Sequence, residues 1–150
     1  MGRASASVLV VGRVSDAEEL FYTPARRVAW WDGFGHVIAT DGAWPSAGAS
    51  LTWTSPPGGR GPVREKMVEL TPREGSTIEV EDEKLTGIQT VAFSPAGDQV
   101  RVTVSLEFRL KDSTPLTPLV GFFVRRSKGE ELRRSLARFA RERAADAELL

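Results

Sequence analysis

The chain has 150 residues, enough for one domain with a real core, and its 20 lysine and arginine side chains balance 20 aspartate and glutamate side chains. That balance supplies no basic field for a polyanion, so no nucleic-acid partner is expected. Cysteine is absent, which excludes disulfide frameworks, thiolate zinc sites and cysteine nucleophiles.

The opening MGRASAS carries no apolar run of the secretory type, and Ala6 stands where a myristoylation signal needs serine or threonine. No apolar run approaches the roughly 20 residues of a membrane span, and a cytoplasmic protein is the expectation. The valine-rich segment Ser7 to Val14 reads as a strand. Ser15-Asp16-Ala17-Glu18 then has the form of a capping box, which predicts a short helix ending before Pro24. Thr23 and Pro24 form an N-cap and N1 pair for a second short helix to about Trp31, which Gly33 and Gly35 terminate.

From Phe34 onward short β-prone runs alternate with turn residues, predicting strands at about 34–40, 49–54, 63–71, 76–82, 86–94 and 99–110. The breaks are Asp41-Gly42, Pro56-Pro57-Gly58-Gly59, Pro72-Arg73-Glu74-Gly75 and Pro95-Ala96-Gly97-Asp98. The last strand alternates most cleanly, with Val100, Val102, Val104, Leu106, Phe108 and Leu110 on one face, so one sheet face is buried and the other wet. The fourth strand is mixed: Arg64, Lys66, Val68 and Leu70 share one face, Glu65, Met67 and Glu69 the other. Unless that strand is bulged, either phase turns at least two ionisable groups inward. The loop Pro56 to Pro62 lacks the lysine and following helix of a phosphate-binding loop and reads as a mobile hairpin tip.

Thr117-Pro118 supplies an N-cap and N1 pair for a helix reaching about Glu148. Leu132, Leu136, Phe139, Ala140 and Ala147 form its apolar stripe, and Gly129 is its weakest point.

The order strand, two short helices, six strands, long helix, together with the pair Trp30-Trp31 and the segment PLVGFFVRRSKGEELRRSLARFARE, resembles the START and birch-pollen-allergen-like superfamily. The polyketide cyclase/dehydrase and lipid-transport branch is the nearest likeness, from about Ser7 to about Glu142. The resemblance implies a single α+β domain over 1–150 of the helix-grip type: a seven-stranded curved antiparallel sheet wrapped around a long C-terminal helix. It also implies an internal cavity between sheet and helix, with the short helices and hairpin loops at its mouth. Fold by itself does not choose among carriers, sensors and cyclases.

Within that frame the candidate ligand-binding residues are Tyr22, Trp30, Trp31, Trp53, Arg64, Met67, Phe108, Leu119, Phe122, Phe123 and Arg126. Adjacent residues on a helix point about 100° apart, so Trp30 and Trp31 cannot both face one spot, and one is a pocket-mouth candidate. Leu119, Phe122 and Arg126 share a face of the long helix, and Arg126 meets a ligand acid, pairs with a carboxylate or turns to water. His36, the single histidine, is a weak candidate for general acid-base work, because no orienting partner is evident. No metal site is expected, since a histidine-rich zinc site is out and no calcium loop is present. No cofactor is expected either. The leading reading is a binder or carrier of an apolar or amphipathic small molecule, such as a lipid, isoprenoid or polyketide. Its rivals are a polyketide aromatase/cyclase and a ligand-free interaction module, the latter favoured if Trp53, Met67 and Phe108 fill the interior. A homodimer is left open.

Overall fold

The computed structural model describes residues 2–57, 59, 61–111 and 118–149, with the side chains of residues 118–119 excepted. The elements are β1 (Gly2–Val11), α1 (Val14–Tyr22), a 3-10 turn (Pro24–Arg26), α2 (Arg27–Trp30), β2 (His36–Asp41), β3 (Ser50–Thr54), β4 (Pro62–Thr71), β5 (Gly75–Glu81), β6 (Leu85–Ala96), β7 (Gln99–Leu110) and α3 (Pro118–Glu148). The seven strands form one antiparallel sheet in the order β1-β7-β6-β5-β4-β3-β2. Strands β2 to β7 are thus a meander, and β1 returns to pair with the last of them. Helix α3 packs against β1 and α2, and this is the helix-grip arrangement expected from the element order.

Alternation builds the core directly. Val100, Val102, Val104, Leu106 and Phe108 of β7 are buried, and Val91 and Phe93 of β6 face the same way. Leu132, Leu136 and Phe139 of α3 close this core against Phe21 and Trp30. The predicted stripe of α3 holds in its middle and fails at its end, where Ala147 is exposed. Ser135 and Arg143 are buried instead. Ser135 accepts the Asp32 backbone N–H at 2.9 Å, and Arg143 donates through Nη2 to the Val11 carbonyl at 3.4 Å while its buried Nε has no hydrogen-bond partner among the described residues. Gly129 is buried within an unbroken helix.

Several local expectations shift. Strand β1 occupies Gly2–Val11, not Ser7 to Val14, because Val14 already belongs to α1. The cap of α1 is displaced too: the Asp16 carboxylate accepts the Arg13 backbone N–H at 3.0 Å, and Ser15 and Glu18 play no part in it. Thr23 does not cap a helix; its hydroxyl donates to the Glu19 carbonyl and finishes α1. The proline that follows permits only a 3-10 turn before α2. The Thr117 cap lies outside the described residues.

The mixed pattern of β4 resolves through a bulge between Met67 and Glu69. Ahead of it Val63, Glu65 and Met67 point inward, with Arg64 and Lys66 outward; beyond it Leu70 is partly buried although it shares Arg64's parity. One glycine is obligatory: at Gly75, with φ +149°, a Cβ would stand 1.9 Å from the Val91 carbonyl oxygen, so β5 and β6 approach closely only without a side chain.

Candidate functional site

The interior between the sheet and α3 is organised by one buried ion pair. Helix α2 projects Arg27 into the core, where its side chain is 1% exposed, and β4 projects Glu65, 3% exposed, to meet it. The pairing is two-pronged: Nη1 donates to Oε2 at 3.1 Å and Nη2 to Oε1 at 2.9 Å. Trp53 Nε1 on β3 donates to the same Oε2 at 2.6 Å. The guanidinium also lies 5.4 Å from the Trp31 ring centroid and 5.8 Å from those of Trp30 and Phe34, within cation–π range. A buried carboxylate thus has three donors and a buried cation three rings, so neither charge is stranded.

Beside this pair lies a small, partly open cavity of about 20 Å³, lined by Trp31, Trp53, Val63, Glu65, Val80, Gln89 and Leu106, with Lys128, Glu131 and Leu132 of α3 on its helix side. Room of that size suits about one water molecule or one small polar group. Lys128 and Glu131 form an ion pair at 3.3 Å, both only 13% exposed. Two buried donors of the lining, Trp31 Nε1 and Gln89 Nε2, have no hydrogen-bond partner among the described residues.

Elsewhere in the core, the Tyr22 hydroxyl donates to Ser76 Oγ at 2.6 Å. Burial pushes that phenol's pKa up to about 12, against the opposing pull of the Ser76 bond. A larger groove of about 410 Å³ crosses the outer face of the sheet, rimmed by Arg64, Lys66, Glu79, Glu81, Glu107 and Arg109. In it Arg64 is paired in register with Glu81 and Lys66 with Glu79, an alternation of signs that a solvated sheet face carries for its own stability. No group of three metal-binding side chains occurs among the described residues, and none of their helices is long and apolar enough to cross a membrane.

Residues 1–143 match the polyketide cyclase / dehydrase and lipid transport family. The chain belongs to that family. Among curated proteins none matches it in sequence. Among solved structures it is similar to SA2116 of Staphylococcus aureus, a protein of unknown function, with TM-score 0.75 and 7% identity over 97% of this chain and 96% of that one. It is likewise similar to TTHA0849 of Thermus thermophilus, with TM-score 0.74 and 15% identity over 96% and 98%. Ara h 8.0201 gives TM-score 0.70 at 11% identity over 95% and 97%. At such identities these likenesses establish the fold alone, and they agree with the START and birch-pollen-allergen-like resemblance read from the sequence.

Within this polyketide cyclase / dehydrase and lipid transport fold, the sequence-derived candidates are scattered and do not converge on one site. Trp31 and Trp53 meet in the cavity wall. Tyr22, Trp30 and Met67 are buried in the core away from that lining, Trp30 between Phe21 and Phe139. Arg64 is exposed on the outer face; Phe108 borders the same groove while its ring belongs to the core and packs over Gly2. Phe122 and Phe123 are 49% and 56% exposed and stack edge to face at 5.8 Å, and Arg126 turns to water, donating to Glu130 at 3.2 Å. The Leu119 side chain lies outside the described residues, as do Gly58 and Arg60 of the predicted hairpin tip. His36 is exposed at the start of edge strand β2.

Arg27 and Gln89 were missed. Gln89 had a readable signal, since it sits in phase with Leu85, Val91 and Phe93 as the polar member of an otherwise apolar face. Arg27 had none, because a helix carrying adjacent Arg26 and Arg27 does not declare which one turns inward.

Proposed function

We propose that this protein binds an apolar or amphipathic small molecule between the sheet and α3, as a carrier or sensor. The observation that carries the reading is the geometry of α3. Its middle roofs the small cavity through Lys128 and Leu132, while its first turns hold Val120, Phe122 and Phe123 half in water. Phe123 stands five residues, about 8 Å along the axis, before Lys128. Phe123 points about 140° away from Lys128 round the axis, and Val124, four residues before Lys128 and packed against the core, is the apolar side chain that links these turns to the cavity roof. A ligand that displaces this end of the helix covers Phe122 and Phe123 while its tip enters the cavity. Burial of ligand carbon then supplies affinity at roughly 25 cal/mol per Å². Family membership supports small-molecule binding of this kind. Binding is favoured over cyclisation because His36 is exposed on edge strand β2, and Glu65, which borders the cavity, already accepts from Arg27 and Trp53.

Phe122→Ala and Phe123→Ala test this reading through titration of an environment-sensitive apolar dye and through thermal unfolding. The expected outcome is weaker dye binding, by about tenfold, with a stability loss well below the roughly 3–5 kcal/mol of a fully buried phenylalanine. An unmutated protein that binds no such dye contradicts the carrier reading and favours an interaction module.

A further inference from the structure

The cavity beside the ion pair is chemically one-sided. Trp31 and Gln89 line it, both more than nine-tenths buried, and Trp31 Nε1 and Gln89 Nε2 lack any protein acceptor among the described residues. An unpartnered buried donor is a standing cost, recovered when an acceptor arrives. The indole N–H only donates. The oxygens of Glu65 are already committed, one to Arg27 and the other to both Arg27 and Trp53.

Charge narrows the acceptor further. Among the described residues, the ionised groups around the cavity pair with one another, Arg27 with Glu65 and Lys128 with Glu131. A carboxylate or phosphate entering here brings a charge with no spare counterpart among the described residues, at a desolvation cost that two neutral donors do not offset. A neutral carbonyl oxygen brings two lone pairs and no charge. At about 20 Å³ the cavity has room for that group, while a ligand's hydrocarbon body stays outside it, toward the first turns of α3.

We infer that Trp31 and Gln89 form a two-donor niche for the neutral carbonyl of a ketone, ester or amide at the buried end of an amphipathic ligand. This inference rests on the proposed binding of a small molecule between sheet and helix, and it sets the ligand's orientation, carbonyl end first.

Three dimethylaminonaphthalene probes that differ in one substituent test it: propionyl (prodan), propyl and carboxylate. Each is titrated against the unmutated protein, Gln89→Leu and Trp31→Phe, and thermal unfolding is recorded alongside. The expected result is that the propionyl probe binds roughly three- to tenfold more tightly than the propyl probe, the worth of one or two neutral hydrogen bonds. Each substitution should shrink that preference and move the emission of bound prodan to shorter wavelength. Replacing an unpartnered amide by leucine is not expected to lower the unfolding midpoint, and Trp31→Phe provides a second, independent deletion of a donor. Equal binding of propionyl and propyl probes, or tighter binding of the carboxylate, overturns the carbonyl niche while leaving small-molecule binding intact. Failure of all three probes to bind overturns the binding reading and the niche with it.

Discussion

Glu65 is the residue on which the interior turns. It joins α2 to β4 through Arg27 and β3 to β4 through Trp53, and each bond is made where water does not compete. Removing one member of such a pair leaves the other charge buried and alone, at a cost of about 3–5 kcal/mol, whereas replacing both by apolar residues of similar volume is often neutral. Glu65→Leu and Arg27→Met should therefore each lower the denaturant midpoint strongly, and the double variant should recover most of the loss. A double variant as unstable as the sum of the singles would show that the pair is not a unit. The sequence left the inward phase of β4 open between Arg64 and Glu65, because the bulge after Met67 hides the alternation on which such a reading depends.

Among the elements, α2 and α3 are held together by carboxylates as well as by core packing. Asp32, just past α2, takes Arg134 at 2.9 Å and Arg138 at 3.1 Å. Arg26 reaches Asp146 at 2.9 Å and Glu142 at 3.2 Å. Burial pushes the Asp32 carboxyl up, but the two arginines outweigh it and hold the pKa below the usual aspartate range; Arg26 does the same for Asp146. A depressed folded-state pKa contributes stability that is fully present above the unfolded value of about 3.9 and is lost as pH falls through the folded one. The unfolding midpoint should therefore fall as pH drops below about 4, and Asp32→Asn together with Asp146→Asn should flatten that fall. An unchanged acid profile in the double variant would remove these clamps from the account. Strand and helix identities were legible because alternation and the 3.6-residue period are properties of local sequence. Ends were less so: the cap of α1 and the turn after Pro24 depend on which of several competing hydrogen bonds wins, and Arg13 gives no sign of being an N-cap.

For the whole molecule, the element order was legible from local patterns, and its resemblance to the START and birch-pollen-allergen-like superfamily led from that order to the fold. That order was not enough to reach the size of the interior. Trp53, Met67 and Phe108 are all buried, the arrangement that counts toward the ligand-free interaction module, and the small space left beside Trp53 admits a functional group and not a whole lipid. On the proposed carrier reading, capacity for a ligand resides in the first turns of α3, whose apolar side chains are half exposed. The most direct measurement is an amide and indole nitrogen NMR titration with a medium-chain methyl ketone, since four tryptophans give separate indole signals. Saturable shifts at the Trp31 and Trp53 indoles, the Gln89 amide and the backbone from Val120 to Leu132 are predicted. Shifts confined to the outer sheet face around Arg64 and Arg109, or no saturable shift anywhere, would contradict an interior ligand site.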